Sequence, residues 1–267
     1  MAKKKETVGK TLQVALALCI VCSVIVSAAA VSLRPMQALN QELDIKSNIL
    51  QAAGMAERGA KAERIEELFG RFEPRLVDLR NGRFISPEEL GVADVLSYDQ
   101  YRAASEPSTS IRLSGDQDTA NLRRRAHAAT VYILRENDEL VRVVLPIHGP
   151  GLWSTLYGFI SLEGDLNTIE GLGFYDHAET PGLGGEVDNP RWKSQWVGQK
   201  VYGDDKDQPK IQLVKGGADQ SGPDGEHKVD ALSGATLTSR GVENLVNFWM
   251  GEDGFAPFLK NLRDGEA

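Results

Sequence analysis

Charge-free and strongly polar stretches alternate along the chain, and that pattern already divides it. From Leu12 to Val31, LQVALALCIVCSVIVSAAAV, twenty residues pass without a charge. At about 1.5 Å per helical residue, such a run spans the roughly 30 Å hydrocarbon layer of a bilayer. It predicts a single N-terminal transmembrane helix over residues 12–33, after a short cytoplasmic segment over 1–11. Ser27-Ala28-Ala29-Ala30 would also suit a signal-cleavage site, but the run outlasts a typical signal core and Arg34 closes it like an anchor flank.

Pro35 then opens a polar segment in which Leu39, Leu43, Ile49 and Leu50 recur at roughly helical spacing, with Gly54 as the stop. A second helix is predicted from Lys61 to about Phe69, ended by Gly70 and Pro74. Residues 80–121 are polar and loop-rich and carry no chemical signal. Residues 34–125 thus read as a helical neck and a loop-rich region.

The period changes after that. ATVYILRENDELVRVVLPI, residues 129–147, holds two β-branched runs around the polar Arg135-Glu136-Asn137-Asp138, which predicts a hairpin. LYGFISLEG, TIEGLGFYD and PKIQLVKG predict three further strands. Between the last two, Asp188/Asn189 followed by Pro190 marks a helix start, with Trp192 and Trp196 on one face. A final helix carries Val242, Leu245, Val246 and Trp249 on one side. The order predicts an α+β domain over 126–267, with a mostly antiparallel sheet and flanking helices.

Charge refines this picture. The net charge is −8, yet residues 1–34 hold Lys3, Lys4, Lys5, Lys10 and Arg34 against Glu6 alone. Lysines before the apolar run place the N-terminus in the cytoplasm and the domain across the membrane. The acidic body disfavours phosphate backbones, so nucleic acid is not an expected partner. Cys19 and Cys22, the two cysteines, both lie inside the apolar run, so the exported domain relies on its core alone. His127, His148, His177 and His227 show no zinc spacing, and Arg123-Arg124-Arg125 reads as a solvated face.

Three stretches could carry chemistry. In SGATLTS, residues 233–239, Gly234 and Ala235 let a ligand approach the backbone where a helix begins, and such an end favours an anion. The same residues read equally well as a helix N-cap with hydroxyls to spare. In HAETPGLGGEV, the glycines allow a tight loop around a flat or phosphorylated ligand, or simply a turn. HGPGLWSTLYGF places Trp153 beside a glycine-rich turn at a strand entrance, where core packing is the default.

Taken together and in order, GPGLWSTLYGF, HAETPGLGGEV and KVDALSGATLTSRGVEN closely resemble the FMN-binding domain of the C subunit of the Na⁺-translocating NADH:quinone reductase. LRPMQALNQELDIKSNIL and the single anchor are similar as well, so the likeness covers nearly the whole chain. The related G subunit of the Rnf complex shares the T-P-G and S-G-A-T elements and is the alternative, with a self-standing exported flavin reductase behind it. The resemblance implies FMN joined by a phosphoester to Thr236, made from FAD by a dedicated flavin transferase with Mg²⁺. It implies Ser233, Thr238 and Ser239 as phosphate partners or caps, with Gly234, Ala235 and Leu237 also in contact. It further implies that Glu179, Thr180, Gly182, Leu183, Gly184 and Gly185 face the flavin ring, with Trp153 at its border and Lys215 offsetting negative charge. NADH oxidation, quinone reduction and ion transport would lie on other membrane subunits of a bacterial inner-membrane complex.

Overall fold

A computed structural model describes residues 7–206, 208–219, 221–222 and 224–267. By compactness the chain divides into residues 1–44 and Ile45–Ala267. The first helix, α1 (Val8–Ala52), runs through both. Its apolar part is exposed, Leu12, Leu16 and Ile20 among the residues, and it is long and apolar enough to cross a membrane. Pro35 lies inside α1 rather than ahead of a second helix. A proline removes one backbone bond, but propagation from good helix-forming flanks carries the helix past it. Lys3, Lys4, Lys5 and Glu6, which bear on the expected orientation, lie outside the described residues.

The compact unit is built on a six-stranded antiparallel sheet in the order β2-β1-β5-β6-β7-β8. Its strands are β1 (Phe72–Asp78), β2 (Arg83–Ile85), β5 (Ala128–Glu136), β6 (Glu139–Pro150), β7 (Thr155–Glu163) and β8 (Ile169–Asp176). The predicted hairpin is β5–β6. Asn137 and Asp138 both take positive φ, 51° and 68°, which matches the twist of the flanking strands. β6 and β7 pair from Arg142↔Glu163 to Pro150↔Thr155, leaving residues 151–154 as the turn between them.

Both sheet faces are covered, so the strands read as continuous apolar runs. One face buries Val131, Ile133, Val143, Leu145 and Ile147 with Val242, Leu245, Val246 and Trp249 of α5 (Thr236–Met250). On the other, Tyr132 meets Phe69 of α2 (Ala62–Phe69), and Tyr157 meets Tyr101 of the short α3 (Gln100–Ser105). Two short sheets complete the fold. β3 (Ser110–Arg112) pairs with β4 (Arg124–Ala126), and β9 (Gln212–Val214) pairs in parallel with β10 (Lys228–Asp230). The helix expected after Asn189 is a single turn, α4 (Pro190–Lys193), with the Asn189 side chain accepting from the Arg191 N–H. α6 (Ala256–Asp264) ends the fold.

Two further sequence expectations change. β1 and β2 fall in the stretch read as neck and loops, yet β1 pairs along its whole length with β5. The arginine run is not a solvated face throughout: Arg125 is buried, and its guanidinium donates to the Asp253 carbonyl.

Candidate functional site

The three motifs meet at one end of the sheet. The β6–β7 turn is closed by the Gly151 N–H donating to the Ser154 carbonyl at 2.7 Å, and it lifts Leu152 and Trp153 into solvent. Trp153 is 69% exposed, so core packing is not its role. The 177–185 loop leaves β8 with His177 set between two partners. Its Nδ1 accepts the Glu179 N–H at 3.3 Å, and its Nε2–H donates to Asp188 Oδ2 at 3.0 Å. The Ala178 N–H donates to Ser154 Oγ at 2.7 Å, which ties this loop to the β6–β7 turn.

α5 begins at Thr236 after Gly234, whose φ of +73° is a backbone conformation suited to glycine. Ala235, the N-cap, is buried and offers no side-chain cap, and the first turn carries no acidic residue. The first bond inside this turn runs from the Ser239 N–H to the Ala235 carbonyl at 2.9 Å. The N–H groups of Thr236, Leu237 and Thr238 precede it and make this end attractive to an anion.

The hydroxyls around this start have separate duties. Thr238 is fully buried and donates to Glu179 Oε2 at 2.6 Å. Ser239 Oγ donates to the Ala235 carbonyl at 3.0 Å and accepts from the Leu232 N–H at 2.9 Å. Neither is free to cap the helix or meet a surface ligand. Ser233 is exposed and Thr236 half-buried, and among the described residues neither hydroxyl has a hydrogen-bond partner.

Glu179, expected to face a ligand, is instead buried. Its Oε1 accepts the Trp153 N–H at 2.8 Å and the Ser154 N–H at 3.3 Å. Burial pushes the carboxyl up, but the Thr238 hydroxyl and the N–H groups of Trp153, Leu152 and Ser154 outweigh it. The group is held below its ordinary value, ionised at neutral pH.

Of the other expected residues, Thr180, Gly182 and Leu183 are exposed, Gly185 is half-buried and Gly184 is buried. Leu183 approaches Gly234 so closely that a β-carbon there would lie 3.0 Å from its Cδ2. Leu152, Trp153, Leu183 and Leu237 form the exposed large apolar side chains on the three converging segments. Leu152 was missed from sequence; its place beside Trp153 in a four-residue turn was the available signal. Lys215 sits exposed on the turn after β9. Asp230 holds that same turn through the Ala218 N–H at 2.5 Å.

Residues 151–251 match the FMN-binding domain family. The C subunit of the Na⁺-translocating NADH-quinone reductase from Vibrio anguillarum is 47% identical over 266 residues, covering 99% of each chain. The chain belongs to this family of C subunits. The corresponding Pseudomonas aeruginosa protein is 48% identical over 264 residues, 98% of this chain and 99% of its own. A crystal structure of Shewanella oneidensis NqrC superposes with a TM-score of 0.74 at 36% identity, covering 83% of this chain and 97% of that one. The structure of the Parabacteroides distasonis counterpart gives 0.60 at 26% identity, covering 84% and 96%. The α+β architecture expected from sequence is therefore that of the family, and the matched residues hold the second and third motifs and the first from Gly151 onward.

Proposed function

We propose that this chain is the membrane-anchored flavoprotein subunit of a Na⁺-pumping NADH:quinone reductase, carrying FMN esterified to Thr236 and passing electrons between partner subunits. One observation carries the reading. At the start of α5, the Thr236 hydroxyl has no hydrogen-bond partner among the described residues, while its neighbours Thr238 and Ser239 are engaged internally.

The residues present fit the group. The N–H groups of Thr236, Leu237 and Thr238 suit the negatively charged phosphodiester, and Gly234 supplies the positive φ of the turn before them. Leu152, Trp153, Leu183 and Leu237 supply the exposed apolar surface that a flat ring system needs. When bound, a flavin accepts one electron or two, and a tether keeps it from dissociating. The chain's own task is to hold the phosphate end, cover the ring and exclude water from one face. Thr180, Gly182 and Gly185 would present backbone to the ring edge. Lys215 would offset negative charge.

Attachment requires a separate flavin transferase. The Thr236 oxygen forms a bond to the flavin-side phosphorus of FAD, the bond to AMP breaks, and the hydroxyl proton is released. α1 would cross the bacterial inner membrane once, with Lys10 on the cytoplasmic side and the compact unit in the periplasm. Residues 12–33 form the span in this reading, residues 1–11 stay in the cytoplasm, and 126–267 form the flavin domain. NADH oxidation, quinone reduction and the sodium path belong to other subunits.

The test is the mass of the tryptic peptide covering residues 229–240 from protein made with and without a flavin transferase. An added FMN mass on Thr236 is expected in the first preparation alone. An unmodified peptide in both would end the reading.

A further inference from the structure

We propose that Glu179 is a positioning residue: its buried carboxylate locks the β6–β7 turn, the 177–185 loop and the first turn of α5 together, so that Thr236 is presented for modification. The statement about the unmodified chain stands alone, whereas the statement about presentation rests on the reading of Thr236 given above.

The geometry is specific. One carboxylate oxygen takes the Trp153 and Ser154 N–H groups at 2.8 and 3.3 Å, and the other takes the Thr238 hydroxyl at 2.6 Å. These donors come from two separate segments, and Glu179 itself sits on a third. Among the described residues no lysine or arginine pairs with it, so a buried charge is balanced by oriented dipoles alone. Such a group is stabilised only while those dipoles stay in place, and any loosening exposes it to the full cost of an unsatisfied buried charge. The three segments are thereby coupled through one carboxylate.

Two glycines support the same conclusion. A β-carbon at Gly151 would stand 2.5 Å from Glu179 Oε1. One at Gly184 would stand 2.5 Å from Oε2 and 2.6 Å from Thr238 Oγ1. Gly184, expected to face a ligand, and Gly151 of the β6–β7 turn both give clearance to the carboxylate. The main chain of Glu179 is fixed as well, since its N–H is held by His177, whose other nitrogen is held by Asp188.

The experiment uses the full-length protein in detergent, made without the transferase, and follows amide hydrogen exchange. In Glu179→Ala, exchange over 151–156 and 179–185 should rise about tenfold or more while β5 and β6 keep their protection. Glu179→Gln keeps an acceptor for the amides and a polar partner for Thr238, and should return exchange to within about threefold of wild type. With the transferase present, the rate of flavin incorporation should fall about tenfold in Glu179→Ala and recover in Glu179→Gln but not in Glu179→Met, which fills a similar volume without accepting the N–H groups.

Wild-type exchange and loading in Glu179→Ala would overturn the proposal, and so would altered exchange with unchanged loading. If wild type itself takes up no flavin, the Thr236 reading fails and the exchange arm alone decides for Glu179. If Glu179→Ala loses protection throughout the sheet, Thr238→Val decides. Raised exchange confined to 179–185 supports the lock, and unchanged exchange there overturns it.

Discussion

The first turn of α5 has an inward side and an outward side, and they use the same chemistry for opposite ends. Inward, Thr238 and Ser239 are buried and their hydroxyls are engaged, one with the Glu179 carboxylate and one with backbone on either side. Outward, Ser233 and Thr236 sit on a surface of N–H groups and apolar side chains, with no partner for either hydroxyl among the described residues. The difference teaches that a cluster of serines and threonines is not one feature. Two hydroxyls hold the turn in shape, and a shaped turn is what makes the other two available.

That division is most sharply broken by exchanging which side loses its hydroxyl. Thr236→Val should abolish covalent flavin while changing stability by no more than about 0.5 kcal/mol, since the side chain keeps its size and its hydroxyl makes no hydrogen bond among the described residues. In-gel flavin fluorescence and a denaturant melt of the same sample check both halves. Substantial attachment in Thr236→Val would move the ester to another residue and dissolve the distinction.

β6 carries a buried polar group with no hydrogen-bond partner among the described residues. His148 is buried among Tyr101, Tyr157 and Trp249, and its Nδ1 makes no hydrogen bond. Burial lowers it from its ordinary value near 6.5 to about 4. An unfolded chain therefore takes up a proton first as pH falls. The contribution to stability is complete above about pH 6.5 and lost on the way down to about 4, roughly 3 kcal/mol in all. His148→Phe keeps an aromatic ring there and should remove this part of the acid sensitivity. About 2 kcal/mol of the difference should be visible between pH 7 and pH 5. Parallel acid profiles for the two proteins would show that His148 is not held neutral.

Third in size is Thr238→Val. It leaves the Glu179 carboxylate with its amide donors but without the hydroxyl, at a cost of about 2 kcal/mol. Chemical denaturation measures it. The surviving folded fraction should still accept flavin, though more slowly, which is the reverse of the Thr236→Val result. A stability unchanged from wild type would mean the 2.6 Å contact contributes nothing, and the inward side would lose its meaning.

Much of this was legible in the chain, for identifiable reasons. β5 to β8 are buried on both faces, so their residues were apolar enough to register, and Asn137-Asp138 marked the turn. The three motifs stood out because glycines and hydroxyls were dense in each. β1 did not register, since Pro74 and the charged Glu73 and Arg75 interrupt it. Its proline is tolerated because β2 pairs only with residues 76–78, leaving the 72–75 half as a sheet edge. The burial of Arg125 depends on a carbonyl at Asp253, and the duty of Glu179 depends on a hydroxyl at Thr238. Contacts between residues so distant in sequence leave no local pattern to read.

The smallest effect belongs to the outward side. Trp153 stands 69% exposed, whereas Trp192, Trp196 and Trp249 are buried, and its side chain contributes little to the fold. Trp153→Ala should shift stability by no more than about 0.5 kcal/mol, because the backbone N–H that Glu179 holds is still present. A large aromatic kept in water at the tip of a well-anchored turn needs another reason to be there, and a ring stacked on its face supplies one. The native fluorescence of the flavin-loaded protein is the sensitive readout, since an adjacent indole quenches a flavin. Emission should rise in Trp153→Ala while the amount of flavin per chain stays the same. Unchanged emission would put the ring elsewhere, and the apolar surface of Leu152, Leu183 and Leu237 would then need a different occupant.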